Sequence, residues 1–311
     1  MKALFPATAR PLLEPHLPDG LDVSWFADHE EANALVADAE IAWVDQMRPE
    51  WTAETIGRGT KLKWLSTIYA GVDSFPIADL KARGTILTNG AGINAIAVAE
   101  YTVMGMLAAA KRFDEVVRIA DRKQWPSDAP GKVELFDTTA LIVGMGTIGQ
   151  MIADRLAAFG VRVTGVTRSG RNGTLTPDAW QARVGEFDWV ILAAPSTDET
   201  KALIGADELA TMKPTAWLIN IARGDMVDQD ALISALETRS IAGAFLDTVH
   251  PEPLPDDHPL WSAPNAIHSM HLSGRSQTKM FMRAGTLFLE NLRAFLSGAE
   301  MKNVVDLDAG Y

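Results

Sequence analysis

The stretch Val143-Gly144-Met145-Gly146-Thr147-Ile148-Gly149 decides the fold. It is a G-x-G-x-x-G. Alone the motif is weak, because a glycine-rich turn can join any strand to any helix. Its surroundings make it specific. It follows the run Thr138 to Val143 and opens a helical pattern that Gly160 ends, and Val161 to Thr167 then supplies a second strand. Strand, turn, helix and strand make a βαβ unit of about thirty residues. Gly144 permits the tight turn, Gly146 lets backbone N–H groups approach a pyrophosphate, and Gly149 lets the helix pack on the strand. The helix N-terminus then faces the negative charge. Gly144, Met145, Gly146, Thr147, Ile148 and Gly149 are therefore candidate cofactor contacts.

The end of the second strand selects the cofactor. An NAD site has Asp or Glu about 20 residues on, against the ribose 2′-hydroxyl. Here that place is Thr167, and no acidic residue occurs from Arg155 through Pro177. The same stretch carries Arg168, Ser169 and Arg171. A guanidinium donates bidentately to a 2′-phosphate and a hydroxyl adds a bond. A solvated basic loop is the ordinary alternative. The missing carboxylate favours NADP(H) over NAD(H).

The same rhythm runs outward in both directions. Downstream strands are expected at Thr139–Val143, Arg162–Thr167, Trp189–Ala193, Ala216–Ile221, Ile241–Leu246 and Ala266–Ser269. Upstream ones are expected at Lys2–Phe5, Asp22–Phe26, Ile41–Val44, Trp64–Ile68 and Thr85–Thr88. Helices are expected at Glu30–Ala37 and Phe75–Lys81, with Gly84 past the end of the second, and at Asn94–Arg112 and Gln277–Leu296. With 311 residues, at about 100–200 per domain, two α/β domains with doubly wound parallel sheets are expected.

Composition narrows the function. Hydrophobic residues are 47% and charged ones 22%, the mix of a globular protein rather than a disordered or fibrous one. The longest apolar stretch, Ala91 to Ala110, contains Asn94, Glu100 and glycines and reads as a buried helix. The start of the chain, with prolines at 6, 11 and 15, does not read as a signal peptide, so a cytoplasmic location is expected. A net charge of −12 disfavours nucleic acid and anionic membranes. With no cysteine, disulfides, thiolate nucleophiles and cysteine-ligated metals are excluded.

Of the six histidines, His16 and His29 are expected to be solvated. His268 and His271, three apart, have no ligand pattern around them, so no metal is expected. His271 lies just past a strand's C-terminal end, where ligands bind in open α/β sheets.

Four segments together resemble the D-isomer-specific 2-hydroxyacid dehydrogenases, most closely the glyoxylate/hydroxypyruvate reductase branch. They are the glycine turn, Leu218 to Gly224 followed by Asp225 to Leu232, Asp247 to Pro255 continuing into His258-Pro259-Leu260-Trp261, and His271-Leu272-Ser273-Gly274. The resemblance covers nearly the whole chain, in order. It implies that Arg223 binds a 2-keto acid carboxylate and polarises the carbonyl. It implies that His271 donates a proton, that Glu252 supports the imidazolium, and that Asp247 fixes the nicotinamide carboxamide. Tyr69-Ala70-Gly71 resembles the family's substrate loop, with the N–H groups of Ala70 and Gly71 on the carboxylate. Ala194-Pro195-Ser196 with Thr200, and Ile221-Ala222, resemble cofactor-contacting segments.

Some positions depart from the family pattern. Tyr69 replaces a small residue, Asp137 stands where glycine is frequent, and Met270 stands where proline usually precedes the histidine. Trp43 and Met47 either line the pocket or pack in the core. Arg275 reads as a surface residue.

The resulting expectation is a flavodoxin-like substrate domain (1–94 plus 277–311) and a Rossmann cofactor domain (95–276), with the site in the cleft between them. The activity expected is NADPH-dependent reduction of a small 2-keto acid by a homodimer. The alternatives are a dehydrogenase of another small anion on the same fold, or a non-catalytic nucleotide sensor. The Glu252–His271 pair argues against the formate type, which resembles a Gln–His arrangement. The chain also lacks the long disordered extensions of the sensors.

Overall fold

The apolar runs of the first ninety residues form strands whose alternate side chains face opposite layers. In the computed structural model, which describes residues 1–275 and 277–308, they are β1 (Lys2–Pro6), β2 (Asp22–Phe26), β3 (Ile41–Trp43), β4 (Trp64–Ser66) and β5 (Ile86–Thr88). All pair in parallel in the order β2-β1-β3-β4-β5. That is the flavodoxin-like winding, which reverses between β1 and β3. Leu4, Ala42, Leu65 and Leu87 pack on one face with Val36, Ile56 and Leu80. Ala3, Phe5, Ile41, Trp43 and Trp64 pack on the other. The C-terminal helix Gln277–Ser297 covers the second face, and its Phe288 stacks on Trp64 at 5.1 Å. Burial on both faces is why these strands read as continuous apolar runs. At the β5 edge, Thr88 bridges Val304 antiparallel.

Several expected limits shift. The helix read as Glu30–Ala37 is His29–Leu35, capped by Asp28 accepting from Glu31 N, and a 3₁₀ turn follows. The helix read from Phe75 begins at Ile77, because Phe75 is buried in the preceding turn. Gly84 closes it at φ 67°. Residue 276 and residues 309–311, which the expected domain limits include, lie outside the described residues.

The second unit, Ala95–Arg275, carries β6 (Thr139–Val143), β7 (Arg162–Val166), β8 (Trp189–Leu192), β9 (Trp217–Asn220), β10 (Gly243–Leu246) and β11 (Ala266–His268). They form one parallel sheet in the order β11-β10-β9-β8-β6-β7. Beyond β7, Leu175 makes a single parallel bridge to Val166. That residue stands where a Rossmann sheet has its outermost strand in the 3-2-1-4-5-6 order.

The apolar helix Ala95–Lys111 buries Val98, Thr102, Met106 and Ala109. Gly105 brings it so close that an added Cβ would lie 2.7 Å from the Phe245 ring. Among the described residues no helix is long and apolar enough to cross a membrane.

Candidate active site

The glycine turn has the geometry that its sequence demands. Gly144 sits at φ 105°, and a Cβ there would lie 2.5 Å from Ala194 N, where β8 ends. A Cβ on Gly149 would lie 2.0 Å from Gly144 O. Gly146 is different: a Cβ there meets nothing within 4 Å. Gly146 caps the helix Thr147–Ala158, whose first N–H groups therefore face open space. One glycine packs the turn against the loop after β8, one closes it on itself, and the third keeps its mouth open, which fits a pyrophosphate. Met145 lies over Gly165, with its Cγ 2.3 Å from where a Cβ would be. Ile148 packs against the sheet core.

Thr167 leaves β7 through N–H to Leu175 O (3.0 Å) and Oγ1 to Thr174 Oγ1 (2.6 Å). Arg168, Ser169 and Arg171 follow, all exposed. The two guanidiniums take different partners. Arg168 pairs with Glu199 at 3.3 Å, and Arg171 donates from Nε to Ser169 Oγ at 2.9 Å. The sequence did not single out Glu199, which lies in the loop after β8. That loop folds on itself through Thr200 Oγ1 to Pro195 O (2.8 Å), and Ser196 Oγ donates to Asp225 Oδ2 (2.8 Å).

After β9, Asn220 fixes the turn that carries Arg223. Its Nδ2 donates to Arg223 O (2.8 Å) and its Oδ1 accepts from Ala222 N (3.1 Å). Arg223 donates to Ala222 O (2.9 Å). Gly224 lets this turn meet the loop after β10, since a Cβ there would lie 2.0 Å from Val249 C and O. Ile221 and Ala222 are buried.

In that loop Glu252 Oε1 accepts from Val249 N (3.2 Å), and Oε2 meets His271 Nδ1 at 2.7 Å. Burial pushes the Glu252 carboxyl up. His271, the Val249 N–H and the Arg223 charge pull it down further, and the net effect is a value below the usual range. Asp247, buried at the end of β10, is the hub beneath. Its Oδ1 accepts from Ser269 Oγ (2.7 Å), Leu272 N (2.9 Å) and Ser273 N (3.2 Å), and its carbonyl accepts from His271 N (2.6 Å). Asp247 Oδ2 is buried with no partner among the described residues, as a group awaiting a ligand amide would be.

Two departures from the family pattern find physical reasons. Asp137 adopts φ 62°, a left-handed conformation that glycine favours and Asp tolerates. Met270 and His271 adopt φ 48° and 54°. Proline is fixed near −65° and cannot take the Met270 conformation. The path into His271 therefore differs from the usual Pro-His one while still delivering Nδ1 to Glu252.

In the first unit, Tyr69, Ala70 and Gly71 follow β4. Tyr69 OH donates to Gln46 O (3.2 Å), and Asn89 Nδ2 donates to Ala70 O (2.8 Å). Trp43 is core, and Met47 is 96% exposed.

The expectation that His29 is solvated is corrected. It stacks on Trp51 at 5.0 Å, and its ring nitrogens meet Gln46 Oε1 (3.0 Å) and Glu54 Oε2 (3.2 Å). His268 meets Leu260 O (3.0 Å) and packs on Trp261, and burial lowers its pKa. Among the described residues no group of three or more His, Asp or Glu could hold a metal ion.

Sequence reasoning passed over Asp45, two residues after β3. The available signal was an acid directly behind a fully buried strand, on the side of the sheet where ligands bind.

Residues 103–273 match the family described as D-isomer specific 2-hydroxyacid dehydrogenase, NAD binding domain. The glyoxylate reductase of Thermofilum pendens is 35% identical over 286 residues, which are 88% of this chain and 83% of that one. A D-isomer specific 2-hydroxyacid dehydrogenase family protein from Aeromonas salmonicida superposes with a TM-score of 0.87 at 29% identity, over 99% of both chains. The NADPH-dependent glyoxylate/hydroxypyruvate reductase of Sinorhizobium meliloti, solved with NADP and malonate, superposes with a TM-score of 0.78 at 25% identity. The match covers 99% of this chain and 97% of that one.

Proposed function

The chain belongs to the D-isomer-specific 2-hydroxyacid dehydrogenase family, and from that premise we propose that it reduces a small 2-keto acid, of the glyoxylate or hydroxypyruvate type, with NADPH as the preferred donor. The observation that carries this reading is the 2.7 Å His271–Glu252 pair, seated over Asp247 at the ends of β10 and β11. When bound, the dihydronicotinamide supplies the hydride. The chain's own residues supply the rest. His271 holds the proton that the carbonyl oxygen takes. Glu252, kept ionised, fixes the imidazole through Nδ1, so Nε2 is the donating nitrogen. Arg223 binds the substrate carboxylate and polarises the carbonyl, as a rigid fork does well. Asp247 Oδ2 accepts from the nicotinamide carboxamide, which gives that buried atom its partner. The N–H groups of Ala70 and Gly71 contact the substrate carboxylate.

The NADPH preference is supported by the acid-free stretch from Arg155 through Pro177 and by exposed Arg168, Ser169 and Arg171. Arg168 and Glu199 are both open to water, and such pairs are weak enough for a 2′-phosphate to displace. The named preference of the Sinorhizobium enzyme agrees. The test is kcat/KM for glyoxylate with each cofactor. One charge-assisted contact predicts roughly a tenfold to hundredfold advantage for NADPH. Equal values or an NADH advantage would remove the cofactor assignment, and no turnover of any 2-keto acid would remove the function.

We further propose a cytoplasmic homodimer. Phe113, Val116 and Val117, on the helix Phe113–Asp121, are exposed together with Trp125 and Phe136. Sedimentation at micromolar concentration should find a dimer, and a lone monomer would refute it.

A further inference from the structure

Asp45 stands at the C-terminal ends of the first sheet, two residues past β3, where the winding reverses. Its carboxylate accepts from Trp43 Nε1 (2.8 Å), Thr67 Oγ1 (2.6 Å) and Ile68 N (2.7 Å). All three donors are neutral. A half-buried charge without a counter-charge is a poor stabiliser, and loss of solvent indeed pushes this carboxyl up to about 6 against the three bonds. An amide could not do the same work. It offers one acceptor oxygen and would turn its own N–H groups on the donors.

What these bonds hold is the loop after β4. Thr67 Oγ1 passes the contact on by accepting from Tyr69 N (3.1 Å). The other side of the loop is fixed by Gly90 N to Tyr69 O (2.8 Å) and Asn89 Nδ2 to Ala70 O (2.8 Å). Gly90 approaches so closely that a Cβ would lie 2.0 Å from Ile68 O. The backbone is thus pinned up to Tyr69. The next two N–H groups, of Ala70 and Gly71, donate to no described residue.

We propose that Asp45 is a positioning residue for substrate: its carboxylate sets the backbone of Ile68 and, through Thr67, of Tyr69, so that the N–H groups of Ala70 and Gly71 point at the keto acid carboxylate. The inference rests on the keto acid reading above and adds a residue outside the family's motifs. It requires that loss of Asp45 act on substrate binding and leave the nucleotide alone.

The experiment compares Asp45→Asn and Thr67→Val with wild type, measuring kcat and KM for glyoxylate and hydroxypyruvate, Kd for NADPH by fluorescence titration, and thermal unfolding. Asp45→Asn should raise the keto acid KM about tenfold, with kcat changed less and NADPH Kd within about twofold, since displaced donors weaken ground-state and transition-state contacts alike. Thr67→Val should move KM the same way by less. The double variant should be no worse than Asp45→Asn, because both act through one chain of bonds. A folded Asp45→Asn with unchanged or lower keto acid KM overturns the proposal. So does an equal loss of NADPH affinity. If Asp45→Asn does not fold, Thr67→Val decides alone, and an unchanged KM there overturns the proposal. A wild type that turns over while these variants match it sinks only this inference. A wild type that reduces no keto acid removes the parent reading and this inference with it.

Discussion

Gly146 and Gly149 lie three residues apart in one turn and should fail in opposite ways. A Cβ on Gly146 meets nothing within 4 Å, and its φ of −77° suits alanine. Gly146→Ala should leave stability unchanged or raise it by about 0.4–1 kcal/mol, by restricting the unfolded chain. The same methyl occupies the space through which a pyrophosphate reaches the N–H groups of helix Thr147–Ala158. Loss of one charge-assisted bond is worth about 1.5–3 kcal/mol, so NADPH should bind roughly tenfold to hundredfold more weakly.

Gly149→Ala places its methyl 2.0 Å from Gly144 O, a backbone atom that cannot swing aside. The helix must retreat from β6. Overpacking of this kind costs about 1–3 kcal/mol, and about 2 kcal/mol lowers Tm by roughly 4–8 °C in a domain of this size. Nucleotide binding should fall as well, since the turn moves with the helix. Circular dichroism melts and NADPH fluorescence titrations on both variants separate the two roles. A Gly146→Ala protein that binds NADPH like wild type refutes the open-mouth reading. One that melts well below wild type refutes the claim that the glycine serves only the ligand. A Gly149→Ala protein indistinguishable from wild type refutes the packing argument.

His271→Ala should lower kcat by about 10²–10⁴-fold with NADPH binding intact, whereas His268→Ala should mainly lower Tm; the reverse outcome in steady-state assays moves the chemistry to His268. Met270→Pro should cost at least about tenfold in kcat/KM, because a φ of 48° is closed to proline; retained activity would mean that the segment has another path. The Asp45 carboxyl has its folded pKa raised from 3.8 to about 6, so its contribution to stability is complete below about 4 and is lost as pH rises through about 6. Chemical denaturation should therefore show wild type losing stability between those limits relative to Asp45→Asn, by roughly 1–3 kcal/mol, and parallel pH profiles for the two proteins would contradict the burial assignment.

Much of this architecture is legible because parallel strands buried on both faces leave long apolar runs. Leu141-Ile142-Val143 and Val190-Ile191-Leu192 are examples. The glycine turn is legible because its demands are local: one left-handed residue, one open position, one close contact. Glu252 and His271 are legible only through the resemblance to the family. Their 2.7 Å contact joins loops 19 residues apart, and nothing local requires it. Asp45 shows the limit. Its donors Thr67 and Ile68 lie just past a different strand, and no spacing rule connects an acid after one strand to a hydroxyl after the next. His29 fails for the same reason, because a polar helix start says nothing of the Trp51 ring that covers it.

The misjudged strand limits carry a physical lesson of their own. Ile68, Thr167 and Ser269 all read as strand by composition, yet Ile68 and Thr167 leave the ladder and Ser269 is the last to hold it, through its N–H to Leu246 O (2.9 Å). Ile68 gives its N–H to Asp45, Thr167 turns toward Leu175 and Thr174, and Ser269 sends its hydroxyl to Asp247. β propensity is the same on both sides of each limit, since it reports fit to a half-buried surface rather than a partner. At Ile68 and Thr167 the backbone N–H goes to an acceptor supplied from elsewhere in the fold. Those acceptors cluster at the C-terminal ends of the sheets because backbone donors there have no further strand to pair with. Ile68 and Ser269, where the reading overruns the strand, thus bond to the carboxylates of Asp45 and Asp247. The overrun follows from the conflict between a chain that could continue as strand and a side chain, such as Asp45 or Asp247, that takes its hydrogen bonds first.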